Sequence, residues 1–462
     1  GAATVEPSIF LDFNLPNAAT WFYFSLLLTV AIFFQFTRVF SLRNLDLLTL
    51  YLLFPGLLLL QEAHGWIARG VKDAEPGSEL RYNFERGQGE MLLAYSWLLA
   101  GSLYWLVRSI IDLALVRRPT ASPNLNAHGL AWLGIALVLC LGAVATRPAA
   151  EPVVATPVGS RPVATEQVKS SATAVIQETQ NGVGRPAAPD DVGFWVERSL
   201  DLGCHLAVAI GLLMIGWRHF QDLAAGVALA TLYLLVPYTA LHIAQFHLVW
   251  PAAFVTWAVF CYRRPSLSGW LLGLAAGTTF VPLLLFPLWL GFYLRRGAAR
   301  FAIAFGLALT LTVVVLPLVL WGGERWLISG LTPDQLADWL PWKRTEAESL
   351  WKGVHGAYRL PIFVLYVGFL GIVTVWPSPK NLSHLVALSA AVLLGVQFWL
   401  ADRGGVYVLW YLPLVLLMVF RPNLTGHEPP AIEPGGMFRW AGAAWHRVRR
   451  GRHHSVSKEL AV

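Results

Sequence analysis

The residues of this chain best placed to do chemistry are acidic and imidazole side chains that fall inside long apolar runs or at their rims. A charge at the centre of a bilayer helix costs about 2.5–3.5 kcal/mol on insertion scales, so such positions mark function by default. Glu197, Asp201 and His205 recur at every fourth residue of one apolar run. At about 100° per residue they share a helix face and can line one wall of a cavity. A carboxylate there can act as general base, or the trio can hold a divalent cation. The plainer alternative is that Glu197 pairs with Arg198 or Arg185 at the membrane surface while His205 bonds a neighbouring helix. His242, Gln245 and His247 occupy a short turn between two apolar runs. There they can bond a lipid phosphate, or simply cap the helices.

Two polar segments offer further candidates. Glu62 and His64 directly follow the run Leu57–Leu60, and Arg69, Lys72, Asp73, Glu75, Glu79, Arg81, Glu85, Arg86 and Glu90 come after them. Interspersed signs suit a folded loop that touches a polar or phosphorylated substrate, and they suit an ordinary solvated loop equally. The second segment carries Lys343, Arg344, Glu346, Glu348, Lys352, His355 and Arg359, with Trp339, Trp342 and Trp351 between them. Those indoles can stack on a sugar ring or float at the membrane interface. The chain has no Walker loop, dinucleotide fingerprint, HExxH or CxxC motif, so nucleotide chemistry has no support and no cofactor is expected.

The elements that must position these residues are membrane helices. Hydrophobic residues are 56% of the 462 and charged ones only 13%. The apolar runs have helix length and do not alternate, and in hydrocarbon the backbone must satisfy itself within helices or a closed barrel. The expectation is an all-α polytopic membrane protein of about 11–13 spans. They are placed at 20–40, 45–61, 91–115, 129–146, 193–216, 222–242, 244–262, 300–321, 360–376, 382–400 and 405–420. The stretch 267–295 carries Pro282 and Pro287 and has arginines before and after it, so it is read as a broken helix pair that dips in and returns. Arg38, Arg43, Arg117, Arg118, Arg218, Lys380 and the basic tail then fall on one side, which the positive-inside rule makes cytoplasmic. The N-terminus is expected outside and the C-terminus inside, with 61–90, 147–192 and 322–359 on the outer face. The net charge of +7 sits in short clusters at helix ends and does not point to nucleic acid. Cys140, Cys204 and Cys261 lie in apolar runs, which excludes a disulfide framework. Four parts follow: a four-helix membrane part over 1–146, a Pro- and Ala-rich disordered extracytoplasmic linker over 147–192, a second membrane part over 193–422, and a basic cytoplasmic tail over 423–462.

The stretch Gln245–Arg296 reads QFHLVWPAAFVTWAVFCYRRPSLSGWLLGLAAGTTFVPLLLFPLWLGFYLRR. It resembles bacterial GT-C glycosyltransferases of the polyprenyl-phosphomannose-dependent mannosyltransferase type. Their pattern is a GQ-x-N turn, an apolar span, a basic turn, a GLA run and a proline-rich helix ending in paired arginines. Gln245 matches the family Gln, Gly273 to Ala275 the GLA run, and Pro282 and Pro287 the prolines; VLWYLPLVLLMVF is similar to the last family helix. The family glycine is Ala244 here, and its Asn is His247. The resemblance implies a GT-C-like core in a bacterial inner membrane. It also implies transfer of a sugar from a polyprenyl-phosphate donor to an acceptor on the outer face. A carboxylate of the first outer loop, Glu62 or Asp73, would be the base. The alternative is a non-catalytic subunit that keeps the fold and packs with other membrane proteins.

Overall fold

A computed structural model of the chain describes residues 18–115, 123–146, 163–182, 189–243, 245–294, 296–315, 341 and 348–429. Lys343, Arg344 and the tail from 430 onward lie outside them. Among the described residues the chain is helical, without a β-strand. The helices are α1 (Ala18–Phe33), α2 (Leu42–Leu52), α3 (Phe54–Arg69), α4 (Glu79–Ile111), α5 (Ala127–Ala145), α6 (Val163–Gly182), α7 (Pro189–Arg218) and α8 (Leu223–Leu235). They continue with α9 (Pro237–Leu241), α10 (Phe246–Phe260), α11 (Pro265–Thr278), α12 (Phe286–Phe292) and α13 (Ala298–Thr310). The last three are α14 (Leu360–Val375), α15 (Leu382–Val396) and α16 (Val408–Phe420). Six helical stretches are long and apolar enough to cross a membrane, and shorter apolar helices accompany them. The chain is a polytopic all-α membrane protein.

The shorter helices form the centre. Every residue of α16 is buried, and so is all of α15 except His384. Neither has a face for lipid, so both are apolar all round, as fully enclosed helices must be. At the periphery, α5, α13 and α14 expose Trp132, Ile135, Leu139, Ile303, Leu307, Val364, Leu365 and Ile372. Such faces are stable only against hydrocarbon. The stretches before and after residue 147 pack on each other, through α5 on α8 and α4 on α15.

Proline and glycine shape the turn-back pair. Helix α11 stops at Thr279, a tight 3-10 turn follows over Val281–Leu285, and α12 returns. Pro282 and Pro287 supply no backbone N–H, so each sits in the first turn of its element, where none is needed. The Tyr293 hydroxyl donates to the Tyr262 carbonyl at 2.5 Å, which ties the two ends together. The expected turn-back is therefore present: both ends of the pair meet at one end of the bundle. Helix α13 then runs parallel to α11. A Cβ at Gly269 or Gly273 would strike the Phe301 or Phe305 carbonyl, so only glycine permits this approach.

The two ends of the bundle are chemically distinct. At the end where α16 finishes, here the tail end, Arg108 forks onto Asp46 with two bonds of 2.7 Å and reaches Asp112 at 3.0 Å. Arg421 closes the set on Asp112 at 2.7 Å, and all four residues are buried. The start of α2 and the ends of α4 and α16 thus meet at one level, as alternating spans require. At the opposite, loop end, α3 and α4 continue past the apolar zone, so most of the expected loop 61–90 is helix and only 70–78 is not. Pairs four residues apart, Arg81 with Glu85 and Arg86 with Glu90, support that extension. The Trp66 ring lies between the guanidinium groups of Arg69 and Arg86, about 4 Å from each.

The stretch expected to be a disordered linker needs correction over 163–182, which is helix α6 packed on α7. The prolines of this stretch end at Pro162 and resume at Pro186, which leaves a proline-free window between them. An ion pair of 2.6 Å between Lys169 and Glu197 anchors the helix to α7.

Candidate functional site

Four of the residues picked from sequence come together near the loop end. Helix α7 turns Asp201 and His205 toward α8, and both are fully buried. His205 Nδ1 and the Tyr233 hydroxyl of α8 are 2.9 Å apart. His242, at the end of α9, is buried, and its Nδ1 lies 3.3 Å from Gln245 Oε1 at the head of α10. The short element α9 exists because Pro237 restarts the chain after α8 ends at Leu235, so the segment arrives at an angle with room for His242 to face inward. The two imidazoles are close enough to repel each other as cations.

Proton placement follows from these bonds. A Tyr233 hydroxyl donating to His205 Nδ1 leaves the ring proton on Nε2, whereas Gln245 Oε1 accepting from His242 Nδ1 leaves a lone pair on that ring's Nε2. Neither Nε2 has a hydrogen-bond partner. Asp201 Oδ1 is 3.8 Å from His205 Nε2, too far for a hydrogen bond. The cluster therefore offers two imidazole nitrogens without hydrogen-bond partners beside a carboxylate.

The other candidates lie apart. The Glu197 carboxylate pairs with Lys169 of α6 at 2.6 Å. Among the described residues no three His, Cys, Asp or Glu side chains group as a metal site. Glu62 is exposed, and its carboxylate accepts from the Trp66 indole at 3.4 Å. Asp73 is exposed in the 70–78 turn. His247 is half-buried in the first turn of α10, and exposed His355 caps a short turn by accepting from the Ala357 N–H.

A second polar cluster at the loop end escaped the sequence reading. His64, on α3, meets Glu348 at 3.1 Å, and Arg403, in the turn before α16, approaches the same carboxylate oxygen at 3.7 Å. The Arg403 N–H donates to the Glu348 carbonyl at 2.8 Å, and the Trp351 indole donates to the Phe398 carbonyl at 2.9 Å. These bonds hold residues 348–352 against the turn 397–407. The His64 hydrogen bond, with the positive charge of Arg403, holds the Glu348 carboxyl below its ordinary value against the opposing effect of burial. The only sequence signal was a histidine and a carboxylate in the two polar segments, 284 positions apart. Compared with family models, curated proteins and solved structures, the chain matches none.

Proposed function

We propose that the chain is a membrane glycosyltransferase that moves a sugar from a polyprenyl-phosphate donor to an acceptor hydroxyl on the extracytoplasmic face of a bacterial inner membrane. The observation that carries this reading is the convergence of Asp201, His205, His242 and Gln245 from α7, α9 and α10, with both imidazole Nε2 atoms unpartnered. The positive-inside pattern puts the loop end outside. Asp201 takes the proton of the acceptor hydroxyl, and the acceptor oxygen forms the new bond to the anomeric carbon. The bond from that carbon to the phosphate oxygen breaks, and polyprenyl phosphate leaves. The His205 Nε2–H and the Gln245 amide supply donors for the departing phosphate.

Transfer of labelled sugar by the full chain in nanodiscs tests this. Asp201→Asn keeps shape and removes basicity, so turnover falls roughly 10²–10⁴-fold while the donor still binds. Full turnover in Asp201→Asn removes the assigned base. A second reading, a non-catalytic subunit of a larger membrane complex, is favoured by the enclosure of Asp201 and the surface positions of Glu62 and Asp73. It takes over if no polyprenyl-phosphate donor supports transfer and the chain copurifies with other membrane proteins in fixed ratio.

A further inference from the structure

The cluster around Glu348 has hydrogen-bonding capacity that the protein leaves unused. Tyr95 of α4 is 1% exposed and its hydroxyl has no partner; Arg403 is 4% exposed and its Nε–H has none. Tyr95 lies within electrostatic reach of Glu348, Arg403 and Asp402. Gly405 seats this turn against α4, where a Cβ would press on Leu98. The Tyr407 ring stacks on Trp410 at 4.0 Å and 7°, and the Tyr407 hydroxyl reaches Asp402 at 3.4 Å. The cluster is not sealed from solvent, because the side chains of His64 and Glu348 are 21% and 30% exposed. Arg403 also holds a positive φ of 48°, a conformation that side-chain-bearing residues adopt at a cost when the surroundings impose it.

Buried donors without partners are uncommon, because each gives up its bonds to water. The charge balance says what would satisfy them. Glu348 and Asp402 are carboxylates facing the Arg403 guanidinium, the Lys352 ammonium and the His64 imidazole, so with a neutral imidazole the charges cancel and leave none in excess for an anion. Its deficit is in hydrogen bonds. Two donors beside a carboxylate that retains acceptor capacity, with an aromatic pair alongside, suit a neutral group bearing several hydroxyls.

We infer that His64, Tyr95, Glu348 and Arg403 form a binding site for a neutral, hydroxyl-rich ligand of the saccharide class, separate from the Asp201 cluster. Sugar hydroxyls accept from Tyr95 and Arg403 and donate to Glu348. The inference does not depend on sugar transfer, and no donor lipid is needed to test it. Calorimetric titration of the full chain in nanodiscs uses mannobiose, maltotriose and chitobiose as neutral probes and inorganic phosphate as the anionic one. At least one saccharide binds, phosphate does not compete, and Glu348→Gln weakens binding. Tyr95→Phe is the most discriminating variant: its hydroxyl makes no bond within the protein, so the fold keeps its melting temperature. Saccharide affinity falls about two- to tenfold, the worth of one hydrogen bond. Asp201→Asn binds as the wild type does, which separates this site from the proposed transfer chemistry. Absence of binding by every saccharide, unchanged affinity in Tyr95→Phe, or tighter binding of phosphate than of any saccharide would overturn the inference.

Discussion

Arg108 shows how a charge survives inside an apolar bundle. All of its hydrogen bonds end on two carboxylates, and Asp112 is shared with Arg421, so two positive and two negative groups neutralise each other out of water. Removing one partner leaves the rest buried and unpaired, which costs about 3–5 kcal/mol. Arg108→Leu is therefore expected to lower thermal stability in detergent by that amount, measured as loss of helical signal on heating. Glu348 gives a pH-dependent counterpart. Its carboxyl is held below its ordinary value of 4.5 by the His64 hydrogen bond, so the folded state binds the proton less readily than the unfolded chain. The linked stability is present above about pH 4.5 and is lost as pH falls through the lower folded value. Melting curves between pH 3 and 6 should show that loss in the wild type and not in Glu348→Gln. Neither cluster was legible in the sequence. Nothing in the sequence singles out Asp46 or Asp112, and Arg421 counts there only among the basic residues of the positive-inside side. The approach of His64 to Glu348 is set by tertiary packing across 284 positions.

At the scale of elements, the sequence told most where one physical rule dominates. Apolar runs long enough for the bilayer gave the helices from α7 to α16, because hydrocarbon leaves the backbone no other arrangement. The break between α11 and α12 was readable from Pro282, Pro287 and the arginines on both sides. Two elements were misjudged, since hydropathy reports membrane thickness and not helix length. Helix α4 starts at Glu79, twelve positions before its expected span, and α6 is helical although its composition suggested disorder. The parallel packing of α11 on α13 carries its own test. Gly273→Ala places a methyl against the Phe305 carbonyl and Ala308, and should destabilise the fold by about 1–3 kcal/mol. Gly306→Ala, whose Cβ meets nothing, should not. Equal stability of the two variants would mean that the close approach does not hold α11 in place.

For the whole molecule, alternation of the spans explains why Asp46, Asp112 and Arg421 meet at one end while His64, Glu348 and Arg403 meet at the other. The site was legible in part. Asp201, His205, His242 and Gln245 stood out as polar residues in apolar surroundings, and the fold gathers them. Glu62 and Asp73, chosen through a family resemblance, are exposed on α3 and in the 70–78 turn. The proposed chemistry requires the loop end, with both polar clusters, to face outward. The most direct test of that orientation is labelling of intact cells with a membrane-impermeant thiol reagent, in a background without Cys140, Cys204 and Cys261. Cysteine replaces exposed Lys72 at the loop end or exposed Thr425 at the tail end. Lys72→Cys should be labelled in intact cells and Thr425→Cys only after the membrane is opened; the reverse pattern would put the loop end in the cytoplasm.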